Sequence, residues 1–270
     1  RPSVPPKAVL VETGSFRIDR TRALEKLKEF QLENAAEFML PWIRCAVVLG
    51  ATEFAVRKIP EGIELSFNGK PLERRWLADP YQALFEESSL ESEPYRHLAV
   101  GLLAALRLNP SSIAIASGEA DRTCLLVKSL EEDELIDDPS RPGESVLRVL
   151  WGHGSVDDAI SEAVETGCVL LKQPLLLHGA ALSKLPEAAT VPVVPCARGS
   201  ASGFLVSAPL RNAKRVYLYK YGVRVGWVPH DFPLPMVAHI NDDGFRLNAS
   251  HTGVIQDAFF TGAMELVKDH

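Results

Sequence analysis

The chain has little of what marks several common protein classes. Its four cysteines, Cys45, Cys124, Cys168 and Cys196, stand far apart, with no C-x-x-C pair and no histidine at metal-ligand spacing. A zinc site is therefore not expected, and the thiols read as reduced ones of a cytoplasmic protein. No apolar run approaches the roughly 20 residues that span a bilayer, and the start RPSVPPKAVLVE lacks the charged head and long apolar centre of a secretory signal. No membrane partner is expected. Lys and Arg number 29 against 35 Asp and Glu, a net charge of -6, which gives no general attraction to nucleic acid. Seven histidines without repeated spacing make no metal site. The G-x-x-x-G frame at 199–203 carries Ala201, not a nucleophile, at its centre.

What is present is a chain of 270 residues, 46% hydrophobic, enough to bury the cores of two ordinary domains. The opening KAVLVET reads as a strand. Asp19 is placed to cap a helix in which Ala23, Leu24, Leu27 and Phe30 recur at helical spacing. A second helix is expected over about 35–49, with Pro41 kinking or restarting it and Gly50 as its stop. TEFAVRK and GIELSFN read as a hairpin closed by NGKP. YRHLAVGLLAALRL is apolar on nearly every face and should be buried. Strands follow at SSIAIAS, TCLLVKSL and SVLRVLWG, and the acidic runs at 86–93 and 131–138 read as solvated loops. From about residue 153 the pattern restarts: a helix at SVDDAISEAVETGC, strands near PLLLHG, GFLVSA, RVYLYKY, VRVGWV and MVAHIN, and a last helix from about Gly253. An Arg at the first position and a final helix that stops short are expected of a piece of a longer protein.

Three phrases in this order carry a resemblance. CAVVLGATEFAV is similar to a helix-to-strand passage N-A-x-D-A-G-A-T. IELSFNGKP is similar to a strand and turn that read D-x-G-x-G, and RHLAVGLLAALRLNPSSIAIASG resembles a Gly-rich lid, buried helix and strand. Together they resemble the GHKL ATPase superfamily, in its Hsp90-like form; VAHINDDGFRLNASHTGVIQD is similar to a phrase of the Hsp90 middle domain. The resemblance implies an α+β fold: a GHKL (Bergerat-type) α/β sandwich over residues 1–152, then an S5-like α/β domain over 153–270. It also implies a nucleotide pocket, here at Cys45, Val48, Phe67, Asn68, Gly69 and Gly101.

Every chemical motif of that pocket has lost residues of the family pattern. The magnesium-binding Asn falls on Cys45, the acid three residues later on Val48, and the catalytic Glu on Pro41. The adenine-reading Asp falls on Phe67; Asn68 and Gly69 keep the turn, while Pro71 replaces a glycine. Gly101 survives, whereas earlier lid glycines fall on Arg96 and Ala99. In the middle domain Asn248 and Ser250 match, and the phosphate-facing Arg falls on His251. Magnesium wants hard oxygen ligands, which a thiol does not supply. Phe67 offers adenine no acceptor, and position 41 holds no base. Larger side chains at glycine positions keep backbone amides away from phosphate.

The expectation is thus a pseudo-ATPase segment without catalytic residues, cofactor or metal, acting as a protein-binding or scaffolding module. A protein partner is implied, with homodimerisation as one form of it. The alternative is an ATP- and magnesium-dependent, chaperone-like ATPase with unconventional ligands such as Glu53, Asn68 or Asp79. A third reading is a small-molecule binder reusing an emptied apolar pocket near Cys45, Val48, Phe67 and Leu102. Among smaller features, Ser155 in GHGS reads as a helix cap and ARGSASGF as a flexible loop whose Arg198 could face the vestigial pocket. His97 reads as a half-buried packing histidine, with anion binding as its functional alternative. His178 should sit at a strand-to-turn transition and His251 beside a cap. Trp42, Trp76, Trp151 and Trp227 read as anchors, any solvent-facing one marking a contact surface.

Overall fold

The structure is a computed structural model and describes residues 20–119, 122–138, 143–151, 157–182, 192–208 and 213–270. The strand expected at KAVLVET, the cap at Asp19 and the GHGS cap at Ser155 lie outside the described residues. Helix α1 (Arg20–Phe30) is followed by a 3-10 turn (Ala35–Phe38) and α2 (Met39–Val48). The hairpin β1 (Phe54–Ile59) and β2 (Gly62–Phe67) leads to α3 (Arg74–Ala78) and α4 (Glu93–Leu106). Strands β3 (Ser112–Ser117), β4 (Thr123–Val127), β5 (Asp133–Asp137) and β6 (Ser145–Leu150) come next, then α5 (Asp157–Gly167), β7 (Leu175–Leu177) and β8 (Ala180–Ala181). Last are β9 (Val193–Arg198), β10 (Ala201–Ser207), β11 (Arg215–Lys220), β12 (Val223–Pro229), β13 (Met236–Asn241) and α6 (Ala258–Lys268). The fold is α+β, with two sheets and, among the described residues, six α-helices.

The first sheet has the order β5-β4-β3-β6-β2-β1-β7-β8, antiparallel except where β1 meets β7. Alternation puts one apolar row in register across it. Leu177 pairs with Val56, Val56 with Leu65, Leu65 with Leu147, Leu147 with Ile115, and Ile115 with Leu125. That row shares one buried cluster with α2 and α4. Helix α4 has almost no polar face because it lies inside this layer, and each Leu it buries contributes roughly 1.5–3 kcal/mol. The opposite face carries polar pairs such as Arg148 to Glu64 at 2.7 Å.

The second sheet, β12-β11-β13-β10-β9, buries Leu205, Val216, Leu218, Ala238 and Ile240 in one cluster with Ala263, Leu266 and Val267 of α6. Its other face carries aromatic rings in register: Phe204 opposite His239, His239 opposite Tyr217, and Tyr217 opposite Trp227. The expected division at 152/153 falls between β6 and α5. Strands β7 and β8, on the far side of it, join the first sheet.

Several local expectations need correction. The acidic run at 131–138 is not all loop: residues 133–137 form edge strand β5, paired with β4. Six carboxylates in eight residues hid its Leu135 and Ile136, and charge is what an exposed edge tolerates. The stretch 197–204 is not a flexible loop but the turn of the β9–β10 hairpin, with Arg198 opposite Ala201 and Gly199 at φ +61°. The helix over 35–49 is two pieces, 3-10 and then α-helical, with Pro41 inside the first α turn, where it needs no N–H partner. The last helix starts not near Gly253 but at Ala258. There the Asp257 side chain accepts from the Phe259 and Phe260 amides.

Candidate functional site

The six pocket positions do not converge on an open site. Cys45, Phe67 and Gly101 lie in the buried layer between α2, α4 and the first sheet, while Val48 is half-buried. Burial pushes the Cys45 thiol well above its ordinary range, so it is neither a thiolate nucleophile nor a ready metal ligand. Asn68 holds the turn: its side-chain oxygen accepts from the Thr52 and Glu53 amides at 2.7 and 3.1 Å, and its amide donates to the Thr52 hydroxyl at 2.8 Å. Gly69, at φ +111°, packs so closely on Ala51 that a Cβ would lie 2.8 Å from the Ala51 nitrogen. At Gly101 a Cβ would lie 2.4 Å from Trp42 Cδ1, so this glycine serves helix packing.

The segment between β2 and α4 closes over this layer. Leu72, Trp76, Leu77 and Tyr81 join the same buried cluster as Cys45, Phe67 and Leu102. Trp76 stacks on Tyr95 with ring centres 4.7 Å apart, and the Tyr95 oxygen accepts from the Glu73 amide at 3.1 Å. The Leu72 amide donates to Ser117 Oγ at 2.8 Å, which bonds Ser145 Oγ at 2.7 Å. Burial raises the Tyr95 phenol to about 12. The space between helices and sheet is filled by the chain's own side chains. Of the alternative ligands, Glu53 is exposed and Asp79 pairs with Arg20. The third reading, an emptied pocket, is not met at Cys45 and Leu102, both of which are in the packed core.

A dense polar arrangement lies instead where α2 and α4 meet the β11–β12 hairpin of the second sheet. Arg44, beside Cys45 on α2, is almost wholly buried and donates from Nη1 to the Arg224 carbonyl on β12 at 2.8 Å. Burial lowers its pKa to about 10, opposed by Cys168 and Glu37, which leaves it charged at neutral pH. Arg224 in turn reaches Glu37 at 3.0 Å and the Thr166 hydroxyl at 3.1 Å. Glu93, the first residue of α4, receives Lys220 Nζ at 3.0 Å and the Tyr221 hydroxyl at 2.9 Å. Lys220 also donates to the Phe245 carbonyl at 2.8 Å.

Two histidines complete this junction. His97 and His251 meet edge to face with ring centres 5.5 Å apart, both buried. Neither His97 nitrogen has a hydrogen-bond partner, nor does His251 Nδ1. Burial, reinforced by Arg44 and Lys220, holds His97 well below the usual histidine range and His251 at about 3, so both are neutral at pH 7. His97 is thus more buried than a half-packed residue, and His251 faces α4 instead of flanking a cap.

The remaining expectations resolve simply. His178, at φ +52° after β7, accepts from the Lys58 amide at Nδ1 and so presents Nε2–H to Ser161 Oγ at 2.7 Å. As a donor to that hydroxyl it cannot serve as its base. Arg198 pairs with Glu265 and Asp269 on α6. Trp42, Trp76 and Trp151 are buried, whereas Trp227 is 48% exposed, with Arg215 4.3 Å over its ring. Trp227 borders a cleft of 440 Å³ shared with Glu33, Asn34, Tyr217 and Arg224. A second cleft, 350 Å³, borders Phe67, Asn68 and Glu53 on the face of the first sheet that carries Arg57 and Ser66.

The described residues hold no group of three or more His, Cys, Asp or Glu that could bind a metal ion, and no helix among them is long and apolar enough to cross a membrane. No family model matches the chain, and no curated protein matches it either. Sequence reasoning missed Arg44, Glu93, Lys220 and Tyr221. Only Arg44 had a visible signal, as the lone charge in MLPWIRCAVV, whose face is otherwise apolar.

Proposed function

We propose that the chain is a nucleotide-independent, Hsp90-like relative of the GHKL superfamily that works as a protein-binding or scaffolding module. The order helix, hairpin, covering segment, buried helix and antiparallel strands, followed by a second sheet, supports that kinship. One observation carries the functional reading. Cys45 and Phe67, beside which the resemblance would put a nucleotide, belong to one buried cluster with Trp76, Tyr95 and Leu72, stitched down through Ser117 and Glu73. Binding there would require expelling two stacked aromatic rings from an apolar core, at a cost of several kcal/mol before any ligand contact formed. Cys45 and Phe67 would then return little to magnesium or adenine.

Protein contact is supported by what is exposed. Trp227, on edge strand β12 beside a cleft, is the type of residue that anchors interfaces. Four free, buried cysteines suit a reducing, cytoplasmic setting, and a second copy of the chain is one candidate partner. Titration calorimetry with ATP and magnesium should give no heat of binding at millimolar nucleotide. Saturable binding in the micromolar range would overturn the reading. Pull-down with the intact chain should yield a partner that Trp227→Ala loses; no capture and no self-association would remove the scaffolding half of the proposal.

A further inference from the structure

Where the β11–β12 hairpin meets the start of α4, the polar contacts centre on one carboxylate, Glu93. The β11–β12 hairpin turns through Tyr221 and Gly222, at φ +58° and +75°, a pair of left-handed residues that a two-residue hairpin turn demands. Glycine accepts this freely; tyrosine does not, at a cost of about 1 kcal/mol or more. The strained residue is nevertheless tied at both ends. Its amide donates to Asp243 Oδ1 at 2.9 Å and its hydroxyl to Glu93 Oε1 at 2.9 Å. Gly222 is pressed against residue 170, where a Cβ would meet the Leu170 carbonyl oxygen at 2.5 Å, so the tip is wedged against the segment after α5.

Glu93 is the acceptor on which this tip converges. Besides Tyr221 it holds Lys220 at 3.0 Å and has His97 Nε2 at 3.9 Å. It is the first residue of α4, where the helix dipole favours a negative charge. Lys220 from β11, Arg44 from α2 and Arg96 from α4 are the charges that depress the neighbouring His97 and His251, and of these Lys220 bonds Glu93 directly. Truncating Glu93 would leave Lys220, only 11% exposed, without its carboxylate.

We propose that Glu93 is a latch: its ionised carboxylate, bonded to Lys220 and Tyr221, holds the second sheet shut against α4, and loss of that charge lets the two sheets part while each stays folded. This goes beyond the proposed function and does not depend on whether nucleotide binds. Other cross-junction bonds then report the latch. The Leu32 amide donates to the Ser250 carbonyl at 3.3 Å, and Gln31 Nε2 to the Ala249 carbonyl at 3.1 Å. Both depend on the sheets staying together and neither touches Glu93.

The test is amide hydrogen exchange on the full chain, comparing Leu32 with Val56 in the first sheet and Val216 in the second. Glu93→Ala should speed Leu32 exchange about tenfold, a factor suited to a pair that is only partly screened. Val56 and Val216 should change less than about twofold. Glu93→Gln, which keeps an acceptor for Tyr221 but not the charge, should give an intermediate rate and covers the case in which the alanine variant fails to fold. Unchanged Leu32 exchange in both single variants, or an equal rise at all three amides, would overturn the latch.

Discussion

Replacing Gly101 with alanine separates two roles for a glycine in this place, one in helix packing and one in admitting a ligand. The added methyl would lie 2.4 and 2.5 Å from Cδ1 and Nε1 of Trp42 and 2.8 Å from the Phe38 carbonyl oxygen. Trp42 is fully buried, makes an edge-to-face contact with Phe38 at 5.0 Å and donates to the Leu98 carbonyl at 3.1 Å. It has no free direction in which to yield. Overpacking of this kind costs about 1–3 kcal/mol, and losing the indole hydrogen bond adds about 1. Alanine's better helix propensity returns about 1, leaving a net destabilisation of about 2 kcal/mol. Urea unfolding followed by far-UV circular dichroism should show the midpoint falling by about 0.7 M for an m-value near 3 kcal/mol/M. Trp42→Leu should relieve the clash, so the double variant should be more stable than the sum of the single effects. A Gly101→Ala protein as stable as the parent, or more so, would refute the packing argument and restore Gly101 as a glycine kept for something that binds beside it.

Two further outcomes follow from the same structure. Asn68→Ala removes three hydrogen bonds that close the β2 turn and should cost about 1–2 kcal/mol in the same assay. ATP titrations of that variant should look like those of the parent; a nucleotide effect would favour the unconventional ATPase. Stability should also fall on acidification below pH 6.5. Burial holds His251 at about 3 and His239 at about 4 in the folded chain, whereas the unfolded chain takes up those protons near 6.5. Between about pH 6.5 and 4 the unfolded state therefore binds more protons, and each such histidine removes about 1.4 kcal/mol of stability per pH unit. His251→Gln should flatten the decline in urea midpoint across that window. A midpoint that rises on acidification there would contradict the neutral, buried assignment.

How much was readable beforehand depended on whether a signal was local. The β1–β2 hairpin, α4 and β11–β13 were legible because strand alternation or helical spacing sits within a few consecutive residues. Strand β5 was not, because DELID owes its place to pairing with β4 and its composition to lying at an edge. Strand β9 was hidden by Pro195, which an edge strand accepts and a central one does not. Cys45, Phe67 and Gly101 lie in the packed core, as the apolar character of their neighbours in the sequence leads one to expect. What sequence could not give was the destination of Trp76 and Tyr95, 19 residues apart and stacked only because the covering segment folds back. Glu93 and Lys220 were invisible for the same reason: an ion pair between α4 and β11 leaves no spacing to detect.

The parallel pairing of β1 with β7 has a consequence for how the molecule is made. A ribosome releasing this chain would present β1 to β6 with one flank of β1 still open, and nothing to fill it until Leu177 emerged. During that interval Phe54, Ala55 and Val56 would offer a naked ladder to any neighbouring nascent chain. Cutting the gene between β6 and α5, the natural place to seek a minimal fragment, would make that interval permanent, and the shorter product should be prone to clump.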